Sequence, residues 1–170
     1  DPTYAQQCVR AAEWAAAQLR ECGLTAEVCP TGDQSNPGDL SKGGGHPIVL
    51  ARCEGDPSYK GPHVLFYGHY DVQPVDPLDL WITPPFEATV RDGEIYARGS
   101  ADDKGQVFMH LKAIEAHIKQ TGKLPVNIKL ILEGEEEVGS ANLDTFVKAN
   151  KEKLAADVVV ISDSAMFARG

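Results

Sequence analysis

Hydrophobic and polar positions follow a helical period in three parts of the chain. Between Thr3 and Cys22 the apolar residues recur at steps of three and four, and they are Ala5, Val9, Ala12, Ala16 and Leu19. This spacing predicts an amphipathic helix that ends at Gly23. A similar apolar stripe between Gly105 and Thr121 predicts a second helix. A third helix is predicted at about Leu143 to Leu154.

Short apolar runs between turn residues predict the strands of a sheet. The runs are Ala26 to Cys29, Ile48 to Arg52, Val64 to Tyr67, Val126 to Leu132 and Asp157 to Ile161. The run from Val64 to Tyr67 is short and apolar, which is typical of a strand buried on both faces, and Val126 to Leu132 and Val158 to Ile161 are interpreted as buried strands as well. An Asp92-Gly93 turn also predicts a hairpin between Ala88–Val90 and Glu94–Tyr96. Strands alternating with helices predict an α/β fold, with the sheet between layers of helices.

The segment from Pro30 to Pro47 is rich in Gly, Pro, Ser, Asn and Asp. This composition predicts an exposed loop. Its glycine-rich tip, Lys42 to Gly45, lacks the GxxxxGK[ST] order of a phosphate-binding loop. We therefore assign no nucleotide site to this segment.

Composition narrows the class of protein further. The 170 residues, 42% of them hydrophobic, suffice for one core and one domain. A net charge of −9 without a basic cluster argues against nucleic acid as a partner. The four cysteines have no zinc-ligand spacing, so we interpret them as reduced thiols. With no apolar run near the roughly 20 residues of a membrane span and no signal-peptide pattern, we expect a soluble, cytoplasmic protein.

Polar residues that could bind a metal follow three of the predicted strands. His69 and Asp71 follow the strand at Val64, Glu133 to Glu137 follow the strand at Val126, and Asp163 follows the last strand. Ligands of open α/β sheets bind beyond the carboxyl ends of the strands. Two carboxylates about 4 Å apart repel by roughly 4 kcal/mol at an effective dielectric near 20, so the group requires a cation. Each residue taken alone is more typical of a solvated loop than of a metal site, and only the whole group favours a metal.

Four sequence motifs, which follow one another along the chain in a recognisable order, make the assignment of a metal site specific. They are Gly68-His69-Tyr70-Asp71-Val72-Gln73-Pro74, Arg98-Gly99-Ser100-Ala101-Asp102-Asp103-Lys104-Gly105, Gly134-Glu135-Glu136-Glu137-Val138-Gly139-Ser140 and Ile161-Ser162-Asp163-Ser164. From about Val64 to Gly170 the chain resembles the M20 family of metallopeptidases, which includes carnosinase-like dipeptidases, carboxypeptidases, and the deacylases of acetylornithine and succinyl-diaminopimelate. The resemblance implies a zinc peptidase catalytic domain with a mixed, mostly parallel sheet sandwiched between helices.

The resemblance also implies the roles of the metal ligands. His69 and Asp163 bind one zinc ion, and Asp102 bridges the two ions. Asp71 supports His69 by accepting a hydrogen bond from its other ring nitrogen, which fixes the tautomer. The peptide bond after Asp102 is cis in family members. From the residues alone, Asp71 could instead cap a loop, Asp163 could begin a turn, and Asp103 could cap the following helix.

The glutamate run holds three candidates for two roles. The resemblance selects Glu136 as the general base that takes a proton from the hydrolytic water, and Glu137 as a ligand of the second zinc. Glu135 receives no chemical role. Neighbouring side chains of an extended segment point to opposite sides, so the segment must turn for both glutamates to reach the metals. Gly134 and Gly139 permit such a turn.

The implied activity is hydrolysis of a peptide or amide bond in a dipeptide or N-acyl amino acid, by water that two zinc ions activate. Mn²⁺ or Co²⁺ could replace zinc, because the same ligands serve several ions. Gln73–Asp76 and Trp81–Phe86 look most like the dipeptidase branch. The alternative is a non-catalytic metal-binding module, and the presence of Glu136 favours the enzyme.

Family members also have a lid domain that supports dimerisation and a late histidine that completes the second zinc site. Neither is recognisable in residues 1–170. We therefore expect these residues to be part of a catalytic domain that is inactive or weakly active alone, and the complete protein to be a homodimer through its lid. The other histidines are interpreted as structural or surface residues: His46, His63, His110 and His117.

Overall fold

The computed structural model describes residues 4–165. Its α-helices are α1 (Ala5–Glu21), α2 (Lys104–Thr121), α3 (Leu143–Ala149) and α4 (Lys151–Leu154). Its strands are β1 (Thr25–Cys29), β2 (Ile48–Cys53), β3 (Val64–His69), β4 (Thr89–Arg91), β5 (Glu94–Tyr96), β6 (Ile128–Glu133) and β7 (Val158–Ile161). Short 3₁₀ helices lie at Leu40–Lys42, Leu78–Leu80 and Glu136–Val138. Within the described residues, no helix is both long and apolar enough to cross a membrane.

Five of the strands form a mixed sheet in the order β1-β2-β6-β3-β7. β6, β3 and β7 are parallel neighbours, and β2 is antiparallel to both β1 and β6. His69 at the end of β3 lies opposite Glu133 at the end of β6. The carboxyl ends of the three parallel strands therefore meet at one edge, as the sequence predicts.

Helices cover both faces of the sheet. On one face, α1 and α2 pack through Ala16, Leu19 and Leu111 against sheet residues such as Leu130. On the other face, Leu154 of α4 packs against Ile48, Leu50 and Ile131. The predicted α/β fold, with its sheet between helical layers, is confirmed. The two-stranded hairpin β4–β5 is confirmed as well, with Asp92 and Gly93 at positive φ in its turn.

Three local predictions were wrong. The third helix is two helices that meet at Asn150, whose φ of −114° and ψ of 22° lie outside the helical region. β7 is apolar but largely exposed, because it is the outer strand of the sheet among the described residues. The loop from Pro30 to Pro47 is not wholly exposed, since Gly32 bridges to Gly44 and the buried Thr31 donates a hydrogen bond from its hydroxyl to the carbonyl of His46 at 2.6 Å.

The side chain of Leu130 offers a test of the core. It is 1% exposed on β6 and packs in the cluster between the sheet and helices α1 and α2. Leu130→Ala should lower the free energy of unfolding by about 2–5 kcal/mol, because burial is lost and a cavity remains. The matched variant Leu80→Ala, at a position 75% exposed, should change it by about 0.5 kcal/mol or less. Urea titration measures both values, and equal losses would contradict this packing.

Candidate metal centre

His69 is the centre of the cluster at the sheet edge. It is the last residue of β3, and its side chain is 0% exposed. Nδ1 lies 3.2 Å from Oδ1 of Asp71. An ionised carboxylate can only accept a hydrogen bond, so Nδ1 carries a proton, and in the neutral imidazole that binds a metal ion Nε2 is the free ligand atom.

Two aspartates from other segments face that Nε2 atom. Oδ1 of Asp102, in the loop before α2, lies 3.1 Å from it, and Oδ2 of Asp163, after β7, lies 3.6 Å from it. One ligand atom from each of the three residues lies within 4.8 Å of the others. The structure thus brings together the histidine and the two aspartates that the sequence proposes for one metal ion.

The glutamate run turns in the way that the sequence requires. Glu136 and Glu137 begin a 3₁₀ helix, so neighbouring side chains no longer point to opposite sides. Both form a second group of possible metal ligands with His69, again within 4.8 Å of one another. Gly139 ends this turn with φ 94°. A glycine is needed at position 134 because the backbone there lies close to the Tyr70 ring, with which a Cβ would collide.

Asp71 joins the histidine segment to the glutamate segment. Its Oδ1 faces His69, and its Oδ2 accepts a hydrogen bond of 3.0 Å from the backbone N–H of Glu137. The side chain of Gln73 also donates to Glu137. Asp71 therefore orients a histidine ligand and a glutamate at the same time, rather than only capping a loop.

The electrostatics of this cluster favour a cation. Burial by itself would lower the pKa of His69, but the hydrogen bond to Asp71 and the charges of Asp71, Asp103 and Asp163 raise it to about 9. Burial raises the pKa of Glu136, and Asp163 adds to this shift while His69 opposes it. The carboxylates that surround the buried imidazole thus stabilise positive charge in the middle of this cluster. This donor set fits a divalent metal ion.

Asp103 differs from its prediction as a helix cap. It occupies the residue before α2, but its side chain makes no capping hydrogen bond. Instead the carboxylate, 0% exposed, accepts a hydrogen bond of 3.1 Å from the backbone N–H of His69. Burial raises the pKa of Asp103 to about 6. The peptide bond between Asp102 and Asp103 is cis, as the resemblance implies.

Comparison with known proteins places this cluster in a family. Residues 65–170 match the Peptidase family M20/M25/M40. The chain belongs to the M20 family of peptidases. Every residue of the metal centre lies inside the matched region.

Relatives of this M20 chain include named dipeptidases. It is 40% identical over 165 residues to the Beta-Ala-His dipeptidase of Rattus norvegicus, covering 96% of this chain and 33% of the relative. It is 36% identical over 170 residues to the Cysteinylglycine-S-conjugate dipeptidase of Corynebacterium striatum, covering 99% of this chain and 34% of the relative. The M20 chain thus spans about a third of the length of these curated relatives.

A solved structure supports the fold of the M20 chain. The crystal structure of human carnosine dipeptidase 1 superposes with a TM-score of 0.86 at 37% identity. The match covers 98% of this chain and 35% of that structure. The mixed sheet and its helical layers are therefore those of an M20 peptidase catalytic domain.

Sequence reasoning assigned no role to four residues whose hydrogen bonds lie around the metal centre of the M20 chain. Glu133 is buried and accepts hydrogen bonds from Tyr67 at 2.7 Å and Ser140 at 3.0 Å. Nε2 of His110 lies 2.8 Å from the hydroxyl of Ser162, the neighbour of Asp163. The other two are Glu135 and His46. Only Glu133 carried a signal in the sequence, a carboxylate directly after a buried strand.

Proposed function

We propose that this chain is the amino-terminal, metal-binding part of a dipeptidase that hydrolyses its substrate at two metal ions. The observation that carries this proposal is the convergence of two carboxylate pairs on the imidazole of His69, which are Asp102 with Asp163 and Glu136 with Glu137. The names of the relatives, a Beta-Ala-His dipeptidase and a Cysteinylglycine-S-conjugate dipeptidase, favour dipeptides over N-acyl amino acids as substrates.

The residues divide between two proposed ions. His69 and Asp163 would bind the first ion, and Glu137 would bind the second. Asp102 would bridge them, since a carboxylate has two oxygens that can each face one ion. Zinc is the proposed metal because imidazole and carboxylates are its usual ligands in hydrolases, and Mn²⁺ or Co²⁺ suits the same set.

Bound metal would lower the pKa of water from about 15.7 towards 7 and polarise the scissile carbonyl. Glu136 is the proposed general base. It would take a proton from the attacking water while the water oxygen bonds to the carbonyl carbon, and give that proton to the amine as the C–N bond breaks. Asp71 would keep His69 in the tautomer that leaves Nε2 free.

The complete protein is proposed to contain more than these residues. Its relatives are about three times as long as this chain. The family resemblance adds to the proposal a lid domain, a homodimer formed through it and a further histidine ligand for the second ion.

Activity of the complete protein tests this function. We expect it to hydrolyse β-alanyl-histidine or cysteinyl-glycine in added Zn²⁺ or Mn²⁺, to lose this activity when a chelator removes the metal, and to regain it when metal is restored. An N-acyl amino acid serves as the comparison substrate. Metal uptake without turnover across the panel would instead support a non-catalytic metal-binding module.

A further inference from the structure

The glutamate segment is held in place by residues outside the metal centre. Glu135 directly precedes Glu136 and is 3% exposed, with its side chain directed away from the metal ligands into the protein. Its carboxylate accepts hydrogen bonds from the backbone N–H of His46 at 2.8 Å, and from Asn142 through the backbone N–H at 3.2 Å and Nδ2 at 2.9 and 3.0 Å. Both oxygens are therefore satisfied, and one carboxylate joins three segments of the chain.

His46 makes a second bond to the same segment. Its Nδ1 atom lies 2.5 Å from the carbonyl oxygen of Gly134. A carbonyl can only accept, so Nδ1 carries the proton and the ring donates to Gly134. His46 thus holds Gly134 and Glu135, the two residues before Glu136, from a position almost ninety residues earlier.

The loop that carries His46 also contacts the histidine side of the metal centre. The hydroxyl of Tyr70, the residue after His69, donates to the carbonyl of Pro47 at 2.5 Å. The backbone N–H of Tyr70 donates to the carbonyl of Glu133 at 2.9 Å. Residues 46 and 47 therefore add a second link between the segment of His69 and the segment of Glu136 and Glu137, beside the direct bond from Glu137 to Asp71.

We propose that His46 and Glu135 are positioning residues that place Glu136 and Glu137 relative to His69. This inference rests on the proposed function for the roles of the two glutamates. Neither positioning residue touches the metal or the substrate. Without them, the 3₁₀ turn at Glu136 would lose its attachment to the loop at His46 and to Asn142, and the position of the two glutamates would depend more heavily on the bonds of Glu137 to Asp71 and Gln73.

Replacing His46 separates this role from general stability. His46→Ala removes the ring N–H, and His46→Asn restores a donor near the position of Nδ1. In the metal-free complete protein titrated with Co²⁺ and followed by visible absorption, His46→Ala should weaken binding at the site of Glu137 by about 10- to 100-fold, the usual effect of losing a partner that orients a ligand. We expect kcat of His46→Ala to fall with little change in KM. His46→Asn should recover most of the lost Co²⁺ affinity and most of the lost kcat.

His63→Ala is the matched control, because His63 is also a half-buried loop histidine before a strand but hydrogen-bonds Asn127 and Asp157 instead. It should bind Co²⁺ like the unsubstituted protein. Glu135→Gln provides a second, isosteric variant if His46→Ala fails to fold, and it should also weaken Co²⁺ binding.

Three results would overturn the proposal: unchanged Co²⁺ affinity and turnover in His46→Ala, an equal loss in His63→Ala, or no recovery in His46→Asn. If the unsubstituted protein cleaved no dipeptide, the proposed function would fail, but the Co²⁺ titration would still decide this inference.

Discussion

Glu136→Gln in the complete protein should retain its metal ions and lose activity by about 10² to 10⁴-fold, the usual contribution of a positioned general base. Glutamine keeps the size of the side chain but cannot take a proton from water. Its carbonyl oxygen can still lie near His69, where Oε2 of Glu136 now lies 4.0 Å from Nε2. The first ion keeps all its proposed protein ligands, which are His69, Asp102 and Asp163.

Metal content and kcat of the purified variant test this expectation together. Glu152→Gln, on the exposed surface of α4, is the control and should have normal activity. Normal turnover by Glu136→Gln would show that the base was misassigned. Loss of metal together with activity would show that Glu136 is a ligand rather than a base.

Asp102→Ala should have the larger effect on metal binding, because Asp102 is the proposed ligand of both ions. Its loss should weaken both sites by more than the roughly 10- to 100-fold that partners outside the ligand set contribute. Asp163→Ala should weaken only the ion bound by His69. Comparing the two variants therefore distinguishes a bridging ligand from a terminal one.

Stepwise Co²⁺ titration of the metal-free protein measures this difference. Asp79→Ala removes an exposed aspartate from a short 3₁₀ helix and should leave both steps unchanged. If Asp102→Ala kept one site of normal affinity, Asp102 would not bridge two ions.

Much of this fold could be predicted from the sequence because its signals are local. The apolar stripe of α2 and the glycine that follows it define a helix without reference to other segments. The Asp92-Gly93 turn likewise defines the hairpin. The break at Asn150 and the exposure of β7 depend on packing against neighbouring elements, and no pattern within either segment encodes them.

The residues of the candidate site also fall into those that could be predicted from the sequence and those that could not. His69, Asp71, Asp102 and Asp163 lie in motifs whose order could be recognised, and the structure brings them together. The role of Glu135 could not be predicted, because its partner His46 lies 89 residues away and a run of three glutamates gives no sign of which one turns inward. Asp103 was predicted as a cap from its position before α2, but its burial beneath His69 directs its carboxylate elsewhere.

The most direct test of the two-metal centre is a crystal structure of the complete, zinc-loaded protein with anomalous diffraction recorded at the zinc edge. We expect two anomalous peaks, one bound by His69 and Asp163 and the other by Glu137, with Asp102 contacting both. A single peak, or peaks away from these four residues, would contradict the account.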